Sequence, residues 1–341
     1  MRRASCGRLA SGGGGRKIAV LTIACALSLA ACNSFAGAAG GQSVAAVDID
    51  PRRPGEARIG EVVFMAGYSL ELGARSFGGL SGLAVAEDGS RMVAVTDHGH
   101  WVAAPLGHDA SGRLTGIGAI SMQPLIGVGG EAIDTILEPR ERDAESLALL
   151  PDGRAVVTFE RRHRIWVYDA PLSAHAPLEL DAPETVARLP ENAGLETVVA
   201  LPDGRLLVLA EAPIGPGTTI DAWILDEEGR WRSFAYLMRD GYDATDAAAL
   251  PDGRIVVLER WFAPPASLRI RLRLLTLDMV REGALVDGRR IAEFTQALLI
   301  DNFEGLAARA GPNGEVLLYM VSDDNFNDLQ ATYLYQLRLE P

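Results

Sequence analysis

Short apolar runs that fold back on themselves over an Asp-Gly turn recur along this chain. The clearest spans residues 143–160, DAESLALLPDGRAVVTFE, in which Glu145 opens an apolar run and Pro151-Asp152-Gly153 interrupts it. Residues 155–159 then return as a second apolar run, and Glu160 closes the unit. An Asp-Gly pair between two such runs predicts a β-hairpin, because glycine tolerates the positive φ of a tight turn. Four further copies run from Ser81 through Asp88-Gly89 to Asp97, from Glu196 through Asp203-Gly204 to Glu211, from Asp246 through Asp252-Gly253 to Glu259, and from Glu304 through Asn313-Gly314 to Asp323. Their opening positions lie about 50 to 64 residues apart. Strand-turn-strand units at that period, with no amphipathic helix between them, predict a propeller.

Each hairpin is followed by candidates for two more strands: 100–106 and 114–122, 164–169 and 185–189, 221–226 and 231–238, and 268–278 and 289–294. The fold class is therefore all-β, a β-propeller of four-stranded blades, five by repeat count. A degenerate sixth blade is left open by residues 127–142. The last unit has only residues 332–339 after its hairpin, while residues 61–72 have no local partner. Pairing these N- and C-terminal strands closes the ring and removes its exposed edges.

Residues 1–31 carry Arg2, Arg3, Arg8, Arg16 and Lys17, no acid, and the apolar run 18–31, the layout of an export signal. That run is short for a membrane span. It ends in Leu29-Ala30-Ala31-Cys32, which resembles a lipobox and predicts a periplasm-facing or surface lipoprotein of a Gram-negative outer membrane, held only by a lipid on Cys32. The alternative is a secretory signal cleaved after Ala36-Gly37-Ala38. Residues 32–58 read as a flexible tether and 59–341 as the propeller domain. All three cysteines (Cys6, Cys25, Cys32) fall in or at the end of the signal, which excludes disulfides and thiolate metal sites from the domain. Lys17 is the only lysine, so Schiff-base chemistry is excluded as well. Loss of the five basic residues takes the formal net charge from −13 to −18, which repels nucleic acid. A monomer acting on a small molecule is expected.

In a propeller the first strand of each blade lines the channel and the second runs back beside it. This predicts an inner ring of Ser81, Glu145, Glu196, Asp246 and Glu304 at one mouth, with Asp97, Glu160, Glu211, Glu259 and Asp323 outside it. So many carboxylates cannot all stay ionised and unpaired; their pKa values rise or cations neutralise them. Calcium, which takes six to eight oxygens in flexible geometry, is the expected cofactor, with Glu145, Glu196, Asp246 and Glu304 as ligands. His98, His100, His108, His163 and His175 sit off the ring, which argues against zinc or copper. The competing reading is that each acid accepts hydrogen bonds from neighbouring blades. Arg161, Arg162 and Arg260 follow second-ring acids, where they either clamp a substrate anion or bridge to the adjacent acid; Arg162 and Arg260 are the candidates to hold the anion, together with Asp97, Glu160, Asp323 and Asn325. Glu259 or Glu211 is the expected general base. Tyr242, Trp261, Phe303 and Phe326 flank these segments. No G-x-S-x-G or H-E-x-x-H motif occurs.

Six segments appear in a fixed order: Phe77-Gly78-Gly79-Leu80-Ser81-Gly82-Leu83, Asp143-Ala144-Glu145-Ser146-Leu147, Asn192-Ala193-Gly194-Leu195-Glu196, Leu258-Glu259-Arg260, Asp301-Asn302-Phe303-Glu304-Gly305-Leu306 and Ser322-Asp323-Asp324-Asn325-Phe326. Together they resemble the bacterial phytase-like family described as "esterase-like activity of phytase". The resemblance implies a secreted or surface-anchored propeller that hydrolyses esters or phosphate esters. The inner acids are also similar in blade position to the metal ligands of gluconolactonase-like propellers. Three functions are thus expected to compete: a calcium-dependent hydrolase of phosphate or other esters, a non-catalytic cell-envelope binding protein with a structural metal, and a lactonase.

Overall fold

The computed structural model describes residues 41–73, 77–214, 216–263 and 267–340; residues 1–31, read above as an export signal, and Cys32 lie outside these. Five antiparallel hairpins form where the repeats predict them. Gly89, Gly153, Gly204, Gly253 and Gly314, one at each turn, have φ between 75° and 90°, a region closed to most side chains.

Blade 1 comprises Leu80–Val85, Arg91–Thr96 and His100–His108, with Leu114–Ile117 and Ser121–Pro124 both on its outer edge. Blade 2 is Ala144–Leu149, Ala155–Phe159, Arg164–Tyr168 and Leu178–Leu180. Blade 3 is Thr197–Ala200, Leu206–Leu209, Thr219–Leu225 and Trp231–Leu237, with Leu285–Val286 parallel to the last. Blade 4 is Asp243–Ala249, Ile255–Ala263, Ser267–Leu275 and Arg289–Thr295. Blade 5 takes Asn302–Ala310, Val316–Asp323 and Thr332–Leu339 from the C-terminal end and Val62–Leu72 from the N-terminal end, so both ends of the chain close the ring.

Three details depart from the pattern. The outer strand of blade 2 is Leu178–Leu180, and residues 184–188 instead make a 3₁₀ turn. Val186 and Leu189 plug into the core between blades 2 and 3, and Thr185 Oγ1 accepts a hydrogen bond from Trp223 Nε1; burial outweighs the strand preference of Thr185 and Val186. Residues 127–142 form a short helix, Ile133–Ile136, and a 3₁₀ turn, Pro139–Glu141, so no sixth blade is present there. The stretch read as a tether contains a strand, Gln42–Val47, paired outside Val62–Leu72. Its Gln42 side chain bonds Gly118 O and the Ile120 N–H of blade 1, latching blade 5 to blade 1.

Five clusters of buried apolar side chains fill the five blade interfaces. Inner-strand side chains alternate between them: Leu83 packs toward blade 5 and Ala84 toward blade 2. Strands buried on both faces explain why the sequence shows continuous apolar runs rather than strict alternation. The inner strands also converge tightly. A Cβ on Gly82 would lie 2.2 Å from Leu147 N, and one on Gly305 2.7 Å from Ser81 O.

A candidate metal centre at the channel mouth

The mouth is built by a repeated irregularity of register. In blade 2, Phe159 pairs with Ala144 and Thr158 with Ser146, which leaves Glu145 unpaired as a β-bulge. Blade 5 does the same at Glu304, between Phe303 and Gly305. In blade 3, Thr197 faces Leu209 while the Glu211 N–H reaches Gly194 O, which frees Glu196. A bulged residue is re-aimed out of the pleat, and here it turns the three glutamates to the mouth.

Blade 4 keeps the bulge but one residue earlier than its acids suggest. Leu258 pairs with Asp246 and Glu259 with Ala244, so the bulged residue is Thr245, and the residue facing Asp243 is Arg260. Because side chains alternate, this single step sends both expected acids elsewhere. Asp246 points into the channel axis. It accepts hydrogen bonds from Ser146 Oγ of blade 2 at 2.8 Å and from the Leu306 N–H of blade 5 at 2.7 Å. Burial raises its pKa, opposed by those donors. Below it the channel widens at the hairpin-turn end into an apolar funnel of about 630 Å³ lined by all five inner strands. Glu259 is fully buried against blade 3 and receives hydrogen bonds from Tyr236 Oη at 2.8 Å, Arg271 Nε at 2.5 Å and Arg273 Nη1 at 3.2 Å.

What remains at the mouth is a tight carboxylate assembly on blades 2 and 3. Asp143, Glu145 and Glu160 bring one oxygen each within 4.8 Å of one another, and so do Glu160, Glu196 and Glu211. Desolvation, then the charges of Glu196 and Asp97, push the Glu145 pKa well up; desolvation, Glu211 and Glu160 do the same to Glu196. Glu160 is raised to about 7 by burial and its neighbours Asp143 and Glu211. Glu211 is raised to about 7 by burial, against the pull of Arg260. Across the mouth, Asp97 accepts a bond from Ser81 Oγ at 2.8 Å and is held well above the usual range by burial and by Glu304 and Asp143. Burial, Glu304 and Asp97 push Asp323 to about 10. An all-carboxylate donor set suits a hard divalent cation such as calcium.

Two guanidinium groups answer part of this charge. Arg260 donates to Asn302 and Glu304 of blade 5 and, at 3.3 Å, to Glu211 of blade 3. Arg161, in the left-handed region at φ 57°, turns back to donate to Asp143 at 2.7 Å. Over the blade 1 side, Phe326 stacks on His98 with ring centroids 4.0 Å apart. Asp324 clasps that loop to blade 1 by accepting from the Gly79 N–H at 3.1 Å. Gly79 must be glycine here: its φ is 59°, and a Cβ would lie 2.6 Å from the Phe326 ring and 3.0 Å from Asp97 Oδ2.

Residues 75–326 match the model of the phytase-like family, described as "esterase-like activity of phytase". The chain belongs to this family. No curated protein matches it. Among solved structures, a luciferin-regenerating enzyme aligns over 78% of this chain and 95% of its own, at 13% identity and a TM-score of 0.39. A candidate glycosidase from Bacteroides thetaiotaomicron aligns over 77% and 87%, at 10% identity and a TM-score of 0.43.

In this phytase-like chain Glu145 lies in one carboxylate group and Glu196 in the other; Glu160, expected as a substrate contact, is common to both, and Glu211, expected as the base, lies with Glu196. Asp143 joins them because it sits opposite Glu160 in the hairpin, where the Glu160 N–H bonds its carbonyl. Glu304 is at the mouth but tied to Arg260 and Asn302. Asp246 and Glu259 are absent from both carboxylate groups, for the reason of register given above. Arg162 is exposed, and its neighbour Arg161 is the one that meets the acids. Asn325 is exposed beside Asp323, whose Oδ1 accepts its backbone N–H at 2.7 Å. Phe303 and Tyr242 are buried, whereas Phe326 is 37% exposed.

The raised carboxylates give a pH prediction. Glu160 and Glu211 hold protons in the folded, ion-free protein that the unfolded chain releases near 4.5. The native state thus binds more protons between about pH 4.5 and about pH 7, and stability falls as pH rises through that window. Thermal midpoints of chelator-treated protein should drop from about pH 5 to about pH 8, and added calcium should restore them at the upper end. Midpoints that rise with pH would contradict this electrostatic account.

Proposed function

We propose that the protein is a calcium-dependent hydrolase of phosphate esters or other esters that acts at the acidic mouth. One observation carries the reading: Glu196, only 9% exposed, makes no hydrogen bond or ion pair among the described residues and lies within a carboxylate group. A buried, unpartnered carboxylate costs several kcal/mol unless it is protonated or neutralised. Asp143, Glu145, Glu160, Glu196 and Glu211 would hold the calcium. When bound, calcium supplies Lewis-acid polarisation of the ester oxygen and a lowered pKa for water. Arg260 and Arg161 border the same space and orient an anionic substrate group. Asp323, its pKa pushed up to about 10, and Asp97, raised well above the usual range, donate hydrogen bonds to the leaving oxygen. Glu211, expected from the sequence as the base, serves in this reading as a ligand, and its pKa of about 7 belongs to the ion-free protein.

The test is turnover of aryl phosphates, aryl esters and lactones by chelator-stripped protein with and without calcium. The expected result is phosphate-ester or ester turnover that calcium restores and that Glu196→Gln reduces about 100-fold or more. Lactone turnover alone, or no calcium dependence, would overturn the proposal.

A further inference from the structure

The two carboxylate groups share a member, and that sharing sets a stoichiometry. We infer that the mouth holds two divalent cations at once, one on Asp143, Glu145 and Glu160, the other on Glu160, Glu196 and Glu211, with Glu160 between them. This rests on the calcium reading above and specifies how its ligands are divided.

Three observations support it. First, Glu160 is built to serve both blades. It leans onto blade 3 because Gly194 has no side chain there: a Cβ would lie 2.9 Å from Glu160 Cγ and 2.6 Å from His163 Nδ1. Second, Glu196 brings a buried, unpartnered carboxylate to the second group, whereas the first group has its own cation, Arg161 on Asp143. A single ion beside Arg161 would leave Glu196 unanswered. Third, one divalent cation is too few for the charge. The union of the groups is five carboxylates. Arg161 offsets one, and Arg260, shared between Glu304 and Glu211, offsets at most one more. The three or more negative charges left exceed what one divalent cation cancels.

The experiment is equilibrium dialysis of chelator-stripped protein against calcium, with circular dichroism to confirm that each variant is folded. Wild type should bind two ions, Asp143→Asn and Glu211→Gln one each, and Glu160→Gln should weaken both by at least tenfold. A wild-type stoichiometry of one overturns this inference and leaves the calcium reading standing, while zero overturns both. Two ions retained at wild-type affinity in Glu160→Gln would overturn the shared role of that residue.

Discussion

Glu259→Leu should destabilise the domain by about 3–5 kcal/mol, the range for removing one partner of a buried ion pair. Glu259 is 0% exposed and anchors Arg271 and Arg273, both themselves buried, together with the Tyr236 hydroxyl. Without it each guanidinium keeps one carboxylate, Asp240 or Asp287 at the surface ends of the cluster, beside the carbonyls of Arg239, Leu237 and Gly288, and Tyr236 loses its acceptor. Isosteric Glu259→Gln should cost less, since it keeps one acceptor oxygen. Urea unfolding of the variants measures this. Calcium binding should be unchanged in both, because Glu259 faces blade 3 and not the mouth. Normal stability with lost turnover would return Glu259 to a catalytic role.

Asp246→Ala should cost about 2–4 kcal/mol, because it strands a buried hydroxyl and a buried backbone N–H. Asp246 joins three blades at the axis: its own, blade 2 through Ser146 Oγ, and blade 5 through the Leu306 N–H. Ser146 Oγ also accepts from the Val198 N–H, which extends the pin to blade 3. The loss should appear as a lower unfolding midpoint with calcium affinity within about twofold of wild type, as expected for sites that share no partner. A stable variant with calcium binding weakened tenfold would make Asp246 a ligand after all.

The hairpins and the closure of the ring were legible because their causes are local: Asp-Gly turns, and a strand at each end of the chain in need of a partner. The strand at Gln42–Val47 was not, since an exposed QSVAAV carries little hydrophobic signal and owes its order to pairing with residues 67–72. Glu145, Glu160, Glu196 and Glu211 could be found by spacing. In blade 4 the eye follows the acids, Asp246 and Glu259, and is misled by one residue. A count from the turn would have corrected it. Glu145 and Glu196 stand six residues before the turn proline, as does Thr245, whereas Asp246 stands five before. Likewise Glu160 and Glu211 stand seven after the turn glycine, as does Arg260 but not Glu259. Asp143 depended on a tertiary fact, a hairpin register that residue type alone does not encode.

The central claim is that the mouth on blades 2 and 3 is a cation site, and calorimetric titration of calcium into the chelator-stripped domain tests it most directly, with Glu196→Gln alongside. The account predicts affinity on the order of micromolar, the range of flexible carboxylate sites, weakened at least tenfold by the substitution. No heat and no binding in either protein would contradict it and leave the acids as protonated hydrogen-bonding groups of the ring.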